Sequence, residues 1–375
     1  MRAGNLVAPN QEKIMRKLLL GAALAVALNA SANADETSER TVAKDHAPIG
    51  VMGDHMHKKG EMMFSYRFMR MEMSGNRIGT DAVSPDEIVT TIPNRFFGSP
   101  MQPPTLRVVP LEMSMNMHML GAMYAPADWV TLMAMGTLVG NDMDHVTYQG
   151  GMGAAVLGGF TTETFGIGDT KVSALVRLFD QDGGGVRHHA HLNLGVSIPT
   201  GSTTETGQIL TPMGMTPSPR LPYPMQLGSG TFDLQPGVTY AGGSEAFSWG
   251  AQYLGTFRTG TNDEGYSLSD KHEATAWAQY GPAPWVAFSG RVAFHSQSGI
   301  DGIDPAIVAP VQTADPDFQG GERLEIGAGV NFAVQHGVFK GNRFEIEAMA
   351  PVYQNLNGPQ LETGWALTAG WQKAF

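Results

Sequence analysis

The sequence contains no cysteine among its 375 residues, so no disulfide can stabilise its fold. Positive charge is also scarce, because 24 Lys and Arg residues stand against 35 Asp and Glu residues, and the formal net charge of −11 argues against binding to nucleic acid. Beyond the first 34 residues, no apolar run approaches the length of a membrane-spanning helix. Any membrane span must therefore be made of strands.

The first 34 residues have the pattern of an export signal. From Met15, the stretch MRKLLLGAALAVALNASANADE places two basic residues before an apolar run and ends that run with Ala32-Asn33-Ala34. This order of basic, apolar and small residues is typical of a cleaved secretory signal peptide. We therefore predict a leader and signal peptide over residues 1–34, a periplasmic N-terminal segment over 35–59 and a β-barrel over 60–375.

Strict alternation of apolar and polar residues marks many later segments as strands. In RLEIGAGVNFAVQ, which begins at Arg323, every second residue from Leu324 to Val334 is apolar, and the residues between, apart from Ala333, are polar or glycine. Many such segments are longer than the strands of soluble proteins. They favour an all-β fold, a transmembrane up-and-down antiparallel β-barrel of about 12 strands (10–14), over a soluble sandwich. The strands are expected near 60–73, 105–124, 129–139, 168–180, 186–199, 228–241, 245–258, 271–280, 285–297, 322–335, 343–354 and 362–375.

The connections between these strands alternate in length, as periplasmic turns and outer loops of a barrel do. Short turns are expected at 125–128, 181–185, 242–244, 281–284 and 336–342, and long loops near 74–104, 140–167, 200–227, 259–270, 298–320 and 355–361. YAPADW and YGPAPW flank two of the short turns with aromatic residues, as an interfacial girdle requires. The terminal Phe375 resembles the signal that bacterial barrel-assembly machinery reads.

Three stretches resemble a known family. GIGDTKVSALVRLFD (166–180), LNLGVSIPTG (192–201) and LGSGTFDLQPGVTY (227–240) are similar to a bacterial outer-membrane family labelled "putative meta-pathway of phenol degradation", whose members are often called transporters. The resemblance covers roughly residues 165–375. It implies a barrel that passes small, hydrophobic or aromatic compounds, and it assigns no functional residue.

In a membrane barrel, the polar row of each strand faces the lumen and the apolar row faces lipid. Applied to LEMSMNMHML (111–120), this rule turns the alternating methionines toward lipid, where thioethers serve as flexible apolar filler. In the first strand, Phe64 and Phe68 are expected outside, which sends methionines inward. The residues predicted along the solute path are Arg67, Met69, Met71, Glu112, Asn116, His118, His189, His191, Arg291 and His295.

Seventeen of the 23 methionines lie between Met52 and Met152. Before the first strand, GDHMHKKGE contains His55-Met56-His57, and an H-x-H spacing on an extended chain can bind Cu(II) or Zn(II). Two histidines make an incomplete site, for which His46 or Met52 is a candidate partner. The alternative interpretation is a solvated periplasmic arm without metal.

The sequence contains no G-x-S-x-G or H-E-x-x-H motif and no complete G-x-G-x-x-G motif, so an enzyme is not expected. We predict a channel for small solutes, hydrophobic or aromatic, in the outer-membrane lipid of a Gram-negative bacterium. One alternative is a copper-handling protein that uses the Met- and His-rich N-terminal third, with copper as its cofactor, and no other cofactor is expected. Another alternative is a non-conducting structural or surface barrel.

Overall fold

The computed structural model describes residues 42–375, and the predicted leader and signal peptide lies outside this range. Fifteen strands are assigned within it, and they account for most of the chain. They are β1 (Met62–Gly79), β2 (Asp81–Val83), β3 (Val108–Ala127), β4 (Val130–Tyr148), β5 (Val156–Ile167), β6 (Thr170–Gly183), β7 (Val186–Ile198), β8 (Asp233–Gly243), β9 (Phe247–Arg258), β10 (Tyr266–Ser267), β11 (Lys271–Ala283), β12 (Val286–Gln297), β13 (Asp301–Gly302), β14 (Gly321–Ala333) and β15 (Asn342–Ala374).

Eleven of these strands form one closed antiparallel barrel in residues 42–375. Their order is β1-β3-β4-β6-β7-β8-β9-β11-β12-β14-β15, and β15 pairs back with β1, from Met63 opposite Ala374 onward. Strand β15 is a hairpin: its first arm pairs with β14 and its second with β1, and Gln354 bonds to Thr363 across the two arms. With the two arms counted separately, the barrel agrees with the prediction of about twelve strands.

Short turns and long loops mostly alternate as the sequence predicts, but two of the expected loops differ. Residues 355–361, expected as a long loop, lie within β15. The residues expected in a loop at 140–167 mostly belong to strands, because β4 continues to Tyr148 and β5 begins at Val156. Strand β4 pairs with β6 near its start and with β5 along the rest of its length. Strands β5 and β6 therefore form one long pass of the barrel wall, interrupted only at residues 168–169.

Exposure alternates along the strands and separates an outer from an inner face. The outer face carries a band of exposed apolar residues, including Phe64, Leu120, Leu132, Val172, Leu194, Val238, Phe288, Val292, Ile326 and Ile346. The aromatic residues that flank two short turns, Tyr124 with Trp129 and Tyr280 with Trp285, are also exposed there. This arrangement is that of a lipid-facing belt with an aromatic girdle at one end.

The N-terminal segment (residues 42–61) lies inside the barrel except near its end, where residues 58–60 are exposed. It begins with a 3-10 helix, Ala43–Asp45, and reaches β1 through a turn in which the Gly60 N–H donates to the Ala125 carbonyl (2.7 Å). Ile49 and Val51 are almost completely buried. The prediction of a solvated periplasmic arm is therefore wrong for the described part of this segment, since its apolar residues are covered by the barrel wall.

The long loops cover the opposite end of the barrel. They contain helix α1 (Pro85–Thr91), which Ser84 caps through the Glu87 N–H (3.2 Å), and three short 3-10 helices at Tyr223–Met225, Gln312–Ala314 and Pro316–Phe318. No helix in residues 42–375 is long and apolar enough to cross a membrane. Loop residues pack into an apolar cluster that contains Val108, Tyr223, Tyr266, Ile300, Ile307, Val311 and Ala314. This end of the barrel is therefore closed by packed loops.

The three motifs behind the family resemblance meet at one point near this end. Asp169 of GDT accepts backbone hydrogen bonds from Gly201 of PTG and Ser229 of GSG. Thr200 donates its hydroxyl to the Gly168 carbonyl (2.8 Å). These motifs are therefore explained by the attachment of both ends of the loop over residues 199–232 to the break between β5 and β6.

Candidate functional site

One wall of the lumen is lined with methionine. Strands β1, β3 and β4 place methionine opposite methionine in the pairs Met71–Met115, Met73–Met113 and Met113–Met143. The inner row consists of Met63, Met69, Met71, Met73, Met113, Met115, Met117, Met119, Met123, Met133, Met135 and Met143, with Arg67 among them. Thioethers make favourable contacts with aromatic rings and bind soft metal ions, so this wall suits either type of ligand.

The predicted inward orientation of Arg67, Met69 and Met71 agrees with the structure, but the predicted orientation of β3 is wrong. Leu120 is 57% exposed whereas Met113 is 3% exposed, so the even-numbered residues of β3 lie outside.

Glu112, Asn116 and His118 therefore face outward and do not line the solute path. The His118 ring is hydrogen-bonded to the Tyr66 hydroxyl (2.8 Å) on that outer face, and Asn116 accepts from Arg70 (3.3 Å). The physical reason is that the outer row becomes polar toward the loop end, where the long strands extend past the apolar band. Polarity alone therefore did not identify the inner face.

The opposite wall of the lumen is charged. Arg291 makes two hydrogen bonds to Glu347, with Nε–Oε1 at 2.8 Å and Nη2–Oε2 at 2.9 Å. His295 lies between Glu273 and Glu325, with each of its ring nitrogens 3.1 Å from a carboxylate oxygen. The structure thus places Arg291 and His295 in the lumen, as predicted, within a network of ion pairs that narrows the bore.

His189 and His191 also lie on the inner face, as predicted, and His191 contacts the N-terminal segment. Its Nε2–H donates to the Gly53 carbonyl at 2.9 Å. His189 is on the same side of β7, opposite Asp180 of β6. The N-terminal segment therefore lies against the inner face of β7, where these two histidines are located.

The N-terminal segment is held by side chains from several strands. Gln279 donates to the His46 carbonyl (2.5 Å), Gln252 to the Met52 carbonyl (2.8 Å) and Ser248 to the Lys44 carbonyl (2.6 Å). The Gly50 N–H donates to Glu347 Oε2 (3.1 Å) and the His57 N–H to Thr131 Oγ1 (3.0 Å). Because backbone groups are satisfied from all sides, the segment has a fixed course across the lumen.

This course brings together residues that are separated in sequence. His46, Asp54 and His55 each offer a ligand atom, and these atoms all lie within 4.8 Å of one another. The His57 ring centroid is 4.9 Å from that of His55. Of the predicted metal residues, Met56 points elsewhere, into an apolar cluster with Met63, Met123 and Leu175.

Burial and neighbouring charge shift the pKa values in this cluster. Burial, followed by the charge of Arg343, holds the pKa of His46 well below its usual range. Burial and the charge of His55 lower the pKa of His57 to about 4. Burial acts to raise the pKa of Asp54, but the charge and hydrogen bond of His55 outweigh it and hold that pKa well below its usual range. At neutral pH the cluster therefore contains the ionised carboxylate of Asp54 beside the neutral imidazoles of His46 and His57, and a neutral imidazole is able to bind a metal.

A small cavity adjoins the cluster. Its volume is about 20 Å³, and Asp54, His55, Arg67, Met52 and methionines of the wall line it. A cavity of this size holds one water molecule or one ion but no organic solute. Sequence reasoning missed Asp54, although the apolar residues Ile49 and Val51 in the preceding stretch were a signal that this segment is buried.

The chain is similar to solved outer-membrane barrels. The COG4313 outer membrane channel from Pseudomonas putida F1 has a TM-score of 0.53 at 11% identity, over 87% of this chain and 99% of that one. The P. putida toluene transporter TodX has a TM-score of 0.40 at 8% identity (85% and 91% coverage). The transport unit of the Escherichia coli autotransporter AIDA-I has 0.44 at 9% (89% and 95%). No family model and no curated protein matches, so the family resemblance remains a prediction and the first similarity establishes the fold.

Proposed function

We propose that this protein is an outer-membrane channel of a Gram-negative bacterium that passes small apolar or aromatic solutes. The observation that carries this proposal is the methionine wall, a mainly apolar surface that Arg67 and Ser65 interrupt, on the inner face of a barrel whose outer face is also apolar. A barrel without a transport role has no need for an apolar inner wall, and in barrels the lumen is usually polar. The similarity in fold to the P. putida channel supports it.

The location follows from the outer face. An apolar band with an aromatic girdle is stable in lipid and unfavourable in water, and a closed barrel satisfies all of its strand hydrogen bonds within the membrane. In this orientation, the short turns, the start of β1 and the end of β15 lie on the periplasmic side. The long loops, with their apolar cluster, lie outside the cell.

The path is gated rather than open. At the outer end, Leu221 and Met225 of a long loop pack against Met113 and Met143 of the wall. At the inner end, the N-terminal segment occupies the lumen and is held by Gln252, Gln279 and Glu347. A solute that follows the methionine wall must therefore displace or pass both obstacles, so passage depends on movement of the loops and the segment.

The aromatic character of the solute is supported by the chemistry of the wall. Methionine sulfur contacts aromatic rings favourably, by about 0.3–1.5 kcal/mol per contact, and flexible thioether side chains adapt to rings of different shape. The mixed charges of the opposite wall are paired with one another and leave no large field of one sign for a charged solute. The resemblance of residues 165–375 to the family named above points to the same class of compound.

The test uses two adjacent residues that face opposite ways. We expect Met117→Lys, which places a charge on the inner wall, to reduce uptake of a radiolabelled monoaromatic hydrocarbon by cells that express the protein as their only such channel. Asn116→Lys, on the polar outer face, should leave uptake unchanged. Equal uptake by both variants and by cells without the protein would show that the barrel is a scaffold and would overturn the proposal.

A further inference from the structure

The histidines of the N-terminal segment present ring nitrogens that have no hydrogen-bond partner. Asp54 Oδ1 lies 2.9 Å from His55 Nδ1, and because a carboxylate only accepts, Nδ1 must carry the proton. The lone pair of His55 is then on Nε2, which is buried and makes no hydrogen bond. Glu61 orients His57 in the same way through Nδ1 (3.3 Å), and His57 Nε2 is likewise buried and unpartnered.

His46 adds a third such nitrogen. Its Nδ1 is 3.9 Å from Asp54 Oδ2, too far for a hydrogen bond, and it has no other partner. The His46 and His55 ring centroids are only 4.0 Å apart. Buried polar atoms without partners are uncommon in folded proteins, and a histidine fixed by a carboxylate on one nitrogen with the other free is the usual arrangement of a metal ligand.

The surroundings indicate which ion fits. The adjoining cavity, of about 20 Å³, is lined by Met52 from the segment and by methionines from three strands, Met63, Met119, Met123, Met133 and Met135. Imidazole and thioether together favour Cu(I) among biological metals. Arg67 also lines the cavity, and its positive charge opposes a divalent ion more strongly than a monovalent one.

We propose that His46 and His55 bind one Cu(I) ion inside the barrel. Asp54 orients the His55 ring, and the methionine-lined cavity borders the site. The site exists only while the N-terminal segment lies in the lumen, because His46 and His55 belong to the segment and the wall methionines belong to β1, β3 and β4. Binding therefore links the segment to the barrel wall. The inference is independent of whether the channel passes an aromatic solute, since the ion-sized cavity excludes one.

The test is a competition for Cu(I) between the full-length protein in detergent micelles and a chromogenic Cu(I) chelator, under anaerobic reducing conditions. We expect one ion per chain, retention of Ag(I) in the same stoichiometry, and weaker binding of Zn(II). His46→Ala and His55→Ala should each weaken Cu(I) binding by at least about 10-fold, since loss of only an outer-shell partner of a metal ligand already costs about that much. Wild-type affinity in both variants, or a preference for Zn(II) over Cu(I), would overturn the proposal.

The test also uses two matched control variants and one measurement on the wild-type protein. His118→Ala removes a histidine from the outer face, and Met143→Leu removes a buried sulfur from a different methionine cluster, so both should bind Cu(I) like the wild type. If either control loses the ion, binding is not located at the cluster and the proposal fails. X-ray absorption of the wild-type copper complex should show nitrogen and sulfur neighbours, and a spectrum without sulfur would overturn the assignment even if the histidine variants do not fold.

Discussion

The carboxylate of Asp169 accepts a hydrogen bond from the backbone N–H of Gly201 at 3.0 Å, across 32 residues of sequence. Its other oxygen accepts from the Ser229 N–H at 2.8 Å. One side chain thus joins the break between β5 and β6 to both ends of the loop over residues 199–232. This loop carries Leu221 and Met225 into the lumen, so Asp169 anchors one of the two obstacles in the proposed path.

We expect Asp169→Ala to lower the free energy of unfolding by about 1–3 kcal/mol, because two backbone N–H groups lose a charged acceptor. The measurement is urea unfolding in detergent micelles followed by tryptophan fluorescence. Asp182→Ala, at the exposed end of β6, is the control and should change little. Equal effects of the two substitutions would contradict the structural role of Asp169.

Gly201 should not tolerate a side chain. A Cβ at this position would lie 2.6 Å from the Leu227 carbonyl oxygen and 2.7 Å from Gly228 Cα, and these backbone atoms cannot move aside independently. We expect Gly201→Ala to destabilise the protein by about 1–3 kcal/mol. The control is Gly290→Ala in β12, where a Cβ meets no atom within 4 Å. Thermal unfolding of both variants checks this expectation, which fails if Gly201→Ala melts at the wild-type temperature.

Removal of one partner from the Arg291–Glu347 pair should be more costly. Their side chains are 11% and 1% exposed, so Glu347→Ala leaves a largely buried guanidinium unpaired, with an expected loss of about 3–5 kcal/mol. The double variant Arg291→Ala with Glu347→Ala should recover part of that loss, because no charge is left unpaired. A double-mutant cycle measures the difference, and strictly additive effects would refute coupling between the two residues.

Release of the N-terminal segment should open the channel. Gln279→Leu removes the side-chain amide that donates a 2.5 Å hydrogen bond to the His46 carbonyl. We expect a higher single-channel conductance in planar bilayers, or more frequent openings, than in the wild type. Gln297→Leu changes the same residue type on the neighbouring strand β12, away from the segment, and serves as the control. Unchanged conductance in Gln279→Leu would indicate that the segment does not obstruct the path.

The barrel was predictable from sequence because each strand carries its own signal. Alternation in β12 and β14, and aromatic residues at the turns near Tyr124 and Tyr280, are local properties that need no knowledge of the rest of the chain. The inner face of β3 was misassigned because its polar row was assumed to face the lumen. Tyr124 and Leu120 lie on the same face of β3 as His118, because all three have even numbers. The positions of these large apolar residues identify the outer row more reliably than the polarity of the other residues does.

The histidine cluster was only partly predictable. The H-x-H pattern marks His55 and His57 as candidates, and His46 was one of two possible partners. The contact between His46 and His55 depends on a bend in residues 47–53 that is stabilised by Gln252, Gln279 and Glu347. These side chains are 200 or more residues away in sequence, so no local pattern could reveal the bend.

The hydrogen bonds between Met62 and Phe375, with N–O distances of 2.7 and 3.1 Å, close the barrel between its first strand and the last residue of the chain. Pairing over such a sequence separation is slow to form, and until then β1 and the second arm of β15 present open edges. An open edge can pair with another copy of the chain. Loss of even the terminal hairpin arm would therefore convert a self-contained barrel into an aggregation-prone sheet, which makes completion of the seam the step at which assembly is most vulnerable.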